Sequence, residues 1–523
     1  MLDTPVIAHA EWDDHPDIVA EVDELRRRFS DPALSVPHVL CDAHPAADVA
    51  FRFVSGDGAV EQLTYGELAD RSRRLAAALR EHGISRGDRV AVLMPKTRQL
   101  PVVLLAIWRL GAVQVPLFTA FAGPAIASRV QAARAKLIVS DPAQLGKLAG
   151  IDVDVLETGA PVDAAIAAHE PLAEDVAVGP DGLFLQLYTS GTTGTPKGVG
   201  VPAFAIGAFL SYMRYGLGVR ADDVFWNPAD PGWAYGLYYG VVGPLALGIP
   251  NILLAAGFSP AKIGEVVERF GVTNLAASPT MYRAMKKDGV RLVSRLRAAS
   301  SAGEPLTPDV TAWAPDALGC EVRDHWGQTE HGMAIVNAWE DRLRGDVRDG
   351  SMGPALPGFR AGTLGQTIVL SVPQSPLMWF SGYVDDPERS AGRFTDDGDW
   401  YLTGDVGRSD GSHLYFSARD DDVILAAGYR IAPFDLEAII VRDPAVAEVA
   451  VVGRPDEIRG EVVEAFVVLA DGFDDAGLEE RLQLAVRQGY GAHAYPRRVH
   501  VIDELPKTPS GKVQRFLLRA DAR

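Results

Sequence analysis

"YTSGTTGTPKGVG" (Tyr188–Gly200) sets five serine or threonine hydroxyls, three glycines and one lysine into the twelve residues before its last glycine. The run "GLFLQLY" that leads into it is apolar, so the loop leaves a buried strand. Successive glycines, here Gly191 and Gly194, let backbone N–H groups turn toward one point and form a nest for an anion. Thr189, Ser190, Thr192, Thr193 and Thr195 add hydroxyl donors, and Lys197 adds a positive charge; together they suit a polyphosphate. The pattern is not a Walker A loop. Five residues on from Gly191 stands Pro196, and Lys197 is followed by Gly198 rather than by Ser or Thr. The plain alternative for such a stretch is a solvated Gly/Thr turn.

The surrounding chain has 523 residues, enough for roughly two to four domains. Its formal charge of −19 argues against broad affinity for nucleic acid or membranes, which reward basic patches, and leaves room for an anion in a local cationic pocket. Cys41 and Cys320, far apart, build neither a disulfide framework nor a zinc spacing. A reducing cytoplasm is the expected home. The N-terminus lacks a basic stretch followed by an apolar one, so no secretion signal is read. The uncharged run 236–258 is long enough to cross a bilayer, but Pro244, Pro250 and several glycines interrupt it. It reads as a buried helix followed by a buried strand, not as a membrane span.

The first third alternates helix and strand. "LTYGELADRSRRLAAALREHG" opens with a capping box, Thr64 to Glu67, and carries Leu68, Leu75, Ala76 and Leu79 on one face. "RVAVLM", "VQVPL", "KLIVSD", "GLFLQLYTS" and "VTNLAAS" read as short strands. This alternation predicts a largely parallel, helix-covered sheet. Near residues 405–425 the composition turns to Gly, Ser and Asp. Helix "PFDLEAIIVRD", strands "AEVAVVG" and "VVEAFVVLA" and helix "GLEERLQLAVRQ" follow, enough for a small α+β domain. The expected division is residues 1–420 and 421–523. No internal repeat is evident.

The opening loop resembles the phosphate loop of the adenylate-forming superfamily, which includes acyl-CoA synthetases, luciferases and peptide-synthetase adenylation domains. Five further motifs follow in the family's order, from about residue 60 to the end. "SAGEPL", with Gly303, Glu304 and Pro305, resembles the turn that packs on adenine. "DHWGQTE", Asp324, His325, Trp326, Gly327, Gln328, Thr329 and Glu330, resembles the strand and loop that complete the adenine and α-phosphate site. The resemblance makes Glu330 a magnesium ligand. "YLTGD" resembles the motif whose aspartate, here Asp405, accepts hydrogen bonds from the ribose hydroxyls. "SARDDDVILAAGYRIAPFDLE" resembles the hinge and the start of a mobile C-terminal domain, with Arg419 toward ribose and phosphate, Asp421 at the hinge and Arg430 toward the phosphates. "PKTPSGKVQR" resembles the terminal loop with the catalytic lysine, here Lys512. The implied fold is α/β: a large multi-subdomain N-terminal domain with helix-covered sheets and a small mobile α+β C-terminal domain. The implied substrates are ATP, Mg2+, a carboxylic acid and CoA.

"NPADPGWAYGLYYGVVGPLALG" resembles the acetyl-CoA and medium-chain acyl-CoA synthetase branches, and places Trp233, Ala234, Tyr235 and Ala302 at the acyl pocket. Acetate-specific members carry "WWQTE", whose second indole closes that pocket; here Gly327 stands in its place. The expectation is therefore an acid larger than propionate, medium-chain, branched or aryl, although Tyr235 is bulkier than the residue acetate enzymes carry. Gly327 serving backbone geometry alone is the simpler account. For the acceptor, the C-terminal region resembles that of acetyl-CoA synthetase, with Arg487 near the CoA 3'-phosphate, Ala427 and Gly428 in the CoA tunnel, and Arg129 as a second phosphate partner or a plain surface arginine. Ala418 and Ala427 depart from the usual Gly and Ser, and the segment at about 360–376 looks short, without the usual acidic, Gly-rich hairpin. Transfer of the adenylate to a carrier protein or an amine, activation of nitrite, or a catalytically silent nucleotide-binding regulator are the rival readings. A monomer or homodimer is expected.

Overall fold

In the computed structural model, the strand–helix alternation of the first third builds a six-stranded sheet in the order Asp154–Glu157, Leu137–Ser140, Arg89–Leu93, Val113–Pro116, Leu183–Thr189, Lys197–Pro202. All neighbours are parallel except the last pair, a hairpin closed by the opening loop. The structure describes the whole chain except residues 1–4, 190–195, 256, 258, 427–428, 457–459, 492–493, 509–511 and 521–523, with backbone only at 421, 430, 460 and 520. The capping box starts helix Tyr65–Glu81: Glu67 N donates to Thr64 Oγ1 at 3.2 Å and Thr64 N donates to the Glu67 carboxylate at 3.0 Å. Leu68, Leu75, Ala76 and Leu79 are buried, and this helix packs on the apolar helix Gln99–Arg109.

A second sheet runs Phe225–Trp226, Asn274–Ala277, Ala298–Ala302, Val322–Gln328, Gly332–Val336, again parallel until its last pair. The uncharged run is helical through Leu247 and then forms strand Asn251–Leu254, both buried among other elements. No helix among the described residues is long and apolar enough to cross a membrane.

The sequence reading misses a third layer. Strands Val6–Ile7, Ala361–Leu364, Thr367–Ser371, Trp400–Asp410, His413–Arg419 and Ser351–Gly353 form an antiparallel six-stranded sheet. The apparently short segment near 360–376 is itself a hairpin here, Ala361 opposite Leu370 and Leu364 opposite Thr367, turning at Gly365 with φ +58°. Strands of four and five residues, nearly all buried, offer no alternation to read, which is why the segment looks merely short in the sequence.

Past Arg419 the chain makes one helical turn, Asp420–Asp422, and enters a separate sheet of Tyr429–Ile431, Ile424–Ala426, Gly460–Leu469 and Val446–Asp456, with Arg498–Val501 parallel to Gly460–Leu469. Helices Pro433–Ile440 and Leu478–Gly489 cover it. Ile431, Leu436, Ile440, Val451, Ala465 and Leu482 belong to its own core, distinct from those of the large domain.

Candidate functional site

The neck of the opening loop is the hairpin pair Thr189 and Lys197; Ser190, Gly191, Thr192, Thr193 and Gly194 lie outside the described residues. Lys197 is half-buried, its Nζ 5.4 Å from the ring centre of Tyr383. Burial and the nearby charges of Arg393, Arg389 and Arg419 hold its ammonium below the ordinary lysine range, with Glu330 opposing them. Cations that crowd together in this way are stabilised by an anion among them.

Strand Val322–Gln328 supplies the next residues. Asp324 Oδ1 is buried and has no hydrogen-bond partner among the described residues, and burial pushes the carboxyl up to about 8. A buried orphan acceptor suits an incoming N–H donor such as the exocyclic amine of adenine. Trp326 Nε1 and Gln328 Nε2 each donate to Asp405 Oδ2 at 2.9 Å, and Arg419 lies 2.7 Å from Oδ1. Gln328 is itself fixed, donating to Thr403 O and accepting from the Tyr401 hydroxyl, both at 2.9 Å. Thr329 presents its carbonyl to the Tyr238 hydroxyl at 3.0 Å. Glu304, beside Gly303 and Pro305, is held by Arg283 at 2.7 Å and by Thr280.

Glu330 is buried, and its Oε1 accepts from the Tyr383 hydroxyl at 2.9 Å; that hydroxyl accepts in turn from Arg393 Nε at 3.0 Å. Gly404, φ +69°, leaves Arg393 its place: a Cβ there would stand 2.9 Å from Nη1. Arg393, Tyr383, Arg283 and Thr280 are absent from the sequence reading. The stretch "SGYVDDPERSAGRF" carries no motif, and the fold brings its Tyr383 and Arg393 onto Glu330. No three His, Cys, Asp or Glu side chains gather as a metal cluster among the described residues. Glu330 is a single carboxylate, which fits Mg2+ only as a cation that takes its other oxygens from phosphates and water.

Lys512 arrives from the small domain. It is open to solvent yet stands in a cleft whose walls crowd it. That crowding, with the charge of Arg419, lowers its pKa, while Glu304, Asp405 and Glu330 act the other way. Its loop is pinned at the neck, Lys512 N donating to Thr508 Oγ1 at 3.1 Å and Thr508 N to Lys512 O at 2.7 Å. Arg515, three residues on, donates to both Glu437 oxygens at 2.8 and 2.9 Å.

Trp233 packs between Phe118 and Phe121, ring centres 5.2 and 5.7 Å away, and precedes the helical turn Ala234–Leu237. Ala234 and Tyr235 are half-buried at the rim of the core group that contains Ala302 and Trp326. Gly327 corrects the sequence reading. A Cβ there would overlap the Gly332 carbonyl oxygen and crowd Met333 Cα, at a register shift between the two strands. The missing indole therefore marks close backbone approach and leaves no side-chain space of its own.

Of the proposed CoA residues, the two arginines lie on different domains. Arg129 lies 4.2 Å over the Phe121 ring in the large domain, its pKa lowered by burial. Arg487 is exposed in the small domain, 3.8 Å over Tyr495. Ala427 and Gly428 lie outside the described residues, and Arg430 is described by its backbone alone, paired with Leu425. Two surface clefts of about 440 and 700 Å3, one beside His169 and one between Gln99 and Asp163, lie apart from the constellation around Asp405 and Glu330.

The family model of AMP-binding enzymes matches residues 40–366. The chain belongs to the AMP-binding enzyme family. The model of the AMP-binding enzyme C-terminal domain matches residues 435–512, ending on Lys512. This AMP-binding enzyme is 33% identical to the acetyl-coenzyme A synthetase of Bacillus subtilis, over 88% of this chain and 85% of that one. A Brucella canis acyl-CoA synthetase structure shares 41% identity, with TM-score 0.75 over 97% of this chain and 98% of that one. MatB from Rhodopseudomonas palustris is 28% identical, over 93% of this chain and 98% of that one; the TM-score is 0.82 to its ATP-bound structure and 0.73 to its apo structure. The overall arrangement of this AMP-binding enzyme is thus nearer the ATP-bound one.

Proposed function

We propose that this AMP-binding enzyme activates a carboxylic acid with ATP, releasing pyrophosphate, and passes the acyl group to the thiol of CoA. The observation that carries this reading is Lys512, a cation from the small domain standing in the field of Glu304, Asp405 and Glu330 on the large one. A carboxylate is a poor acyl donor because oxide would have to leave; joined to AMP it has a competent leaving group. The carboxylate oxygen attacks the α-phosphorus, the bond to the bridging oxygen breaks, and pyrophosphate departs. Two anions must meet, so catalysis is mostly positioning and charge neutralisation. Lys197 and the opening loop would hold the phosphates, Asp405 and Arg419 the ribose, and Asp324 the adenine. Lys512 would touch both the incoming carboxylate and an α-phosphate oxygen. Glu330 would hold Mg2+, which supplies charge neutralisation at the phosphates. In the second step the thiol adds to the acyl carbonyl and AMP leaves.

An acid larger than propionate now rests on the small side chains of Ala234 and Ala302, not on Gly327. CoA is the favoured acceptor because the relatives from Bacillus subtilis and Brucella canis are CoA synthetases. The expected result for Lys512→Ala is a loss of pyrophosphate release of roughly a hundredfold to a thousandfold with ATP binding retained. Near-normal release would remove Lys512 from the role. An acid panel scored for AMP, with and without CoA, tests the rest: AMP formed only with CoA present and thioester recovered supports the ligase. ADP in place of AMP would point to a kinase, and AMP that forms equally without CoA to another acceptor.

A further inference from the structure

At the acyl-pocket rim the Tyr235 hydroxyl has its hydrogen-bond direction fixed from behind. His325 Nε2 lies 3.0 Å from the carbonyl oxygen of Asn337, which can only accept, so Nε2 bears the imidazole proton. Burial holds His325 down at about 3, so the ring is neutral and Nδ1 is an acceptor. Nδ1 lies 2.8 Å from the Tyr212 hydroxyl, so Tyr212 donates to it. Tyr212 and His325 are both buried, and Tyr212 has spent its only proton. The Tyr235 hydroxyl is 3.3 Å from the Tyr212 oxygen and therefore donates to it. Each step leaves one choice, and the chain ends at Tyr235, half-buried beside Ala234 at the rim of the core. Asn227 Nδ2 donates to the Tyr235 backbone carbonyl at 3.2 Å, but among the described residues no group donates to its phenolic oxygen. What it offers outward is a lone pair and no proton.

Resting on the adenylation reading above, we infer that Tyr235 is a specificity-determining residue that selects carboxylic acids bearing a hydrogen-bond donor, a hydroxyl or amino group, over apolar acids of the same size. A phenol oxygen that can only accept rejects a methyl group in that place, because its lone pair is then buried without a partner. It rejects a keto group as well, since two acceptors would face each other. The relay gives Tyr235 a role at a rim it shares with Ala234 and Trp233. It also gives His325 and Tyr212 a role through Tyr235: they are positioning residues that keep its proton turned inward.

The test uses isosteric pairs that differ only as hydroxyl or amine against methyl: 3-hydroxybutanoate with 3-methylbutanoate, 4-hydroxybenzoate and 4-aminobenzoate with 4-methylbenzoate. Pyrophosphate release is measured for each acid with the full chain, and kcat/KM is compared within each pair. The expected result is a preference of roughly tenfold or more for the donor-bearing member of the best pair. In Tyr235→Phe that ratio falls to one or reverses while the KM for ATP stays as in the parent. A parent enzyme that prefers the methyl member in every pair, or a ratio unchanged in Tyr235→Phe, overturns the inference and leaves adenylation standing. No pyrophosphate release or exchange with any acid takes down the adenylation reading and this inference with it.

Discussion

At the scale of single residues, His331 shows what burial does to a titrating group. It follows Glu330, is fully buried, and packs its ring against Trp326 and Tyr401 at 5.3 and 5.5 Å between centres. Neither ring nitrogen has a hydrogen-bond partner among the described residues, and burial pushes its pKa down to about 3. His325 is held equally low. Unfolded, both titrate near 6.5. Between those values the unfolded chain binds more protons than the folded one. The stability these two groups permit is therefore complete above pH 6.5 and is lost as pH falls toward 3. At pH 4.5 each costs about 2–3 kcal/mol relative to neutral pH. The expected outcome for His331→Phe, which keeps the ring and removes the orphaned nitrogens, is a thermal midpoint near or above that of the parent at pH 7 and a clearly smaller drop on acidification. Thermal melts at pH 7.5, 6 and 4.5 check it. An identical acid profile in parent and variant would mean that His331 is satisfied in the folded protein.

At the scale of elements, what could be read in the sequence and what could not divide along local and distant pairing. The helix at Thr64, the strands "RVAVLM", "VQVPL" and "KLIVSD", and the helix–strand order of the small domain all announce themselves by caps, periodicity or short apolar runs, and all are found. The antiparallel sheet around Trp400–Asp410 does not, because its order joins Val6–Ile7 to Ala361–Leu364 and Ser351–Gly353 to His413–Arg419 across long stretches of chain. The motifs named Glu330 and Asp405, and the fold adds what grips them. Tyr383 lies on an irregular stretch, where it makes isolated bridges to Val199 and Asp386. From there it links Arg393 to Glu330. Removing its hydroxyl leaves the carboxylate unsteered. Partners of this kind typically change metal affinity by roughly tenfold or more when lost. For Tyr383→Phe the half-saturating Mg2+ concentration for pyrophosphate exchange should rise by about that factor. ATP binding measured calorimetrically in EDTA should stay unchanged. A fall in both together would place Tyr383 in nucleotide binding rather than behind Glu330.

At the scale of the whole molecule, the small domain faces the large one with Lys512 in the field of Glu304, Asp405 and Glu330, an arrangement that suits the proposed first half-reaction. The higher TM-score to ATP-bound than to apo MatB agrees with this. The expected CoA arginines, Arg129 and Arg487, stand on different domains; if the thiol step brings them together, the small domain must move. A change of that size is carried by a few residues that absorb large φ and ψ changes. The single turn Asp420–Asp422, between strand His413–Arg419 and strand Ile424–Ala426, is the natural place. It is anchored on the small-domain side, where Asp422 pairs with Arg519 at 2.7 Å and, more loosely, with Arg515 at 3.7 Å. Asp422 is thereby tied to the segment that follows Lys512, so residue 421 is the position at which a fixed φ tests the swing. Proline fixes φ near −65°. Asp421→Pro should therefore spare pyrophosphate exchange, which needs only the pose seen here, and slow thioester formation; even ~1.4 kcal/mol added to the swing slows it about tenfold. Single-turnover measurements separate the two steps: acyl-adenylate should accumulate in the variant when acid, ATP and CoA are all present. Equal loss of exchange and of thioester would show that residue 421 supports the fold of both poses rather than the passage between them.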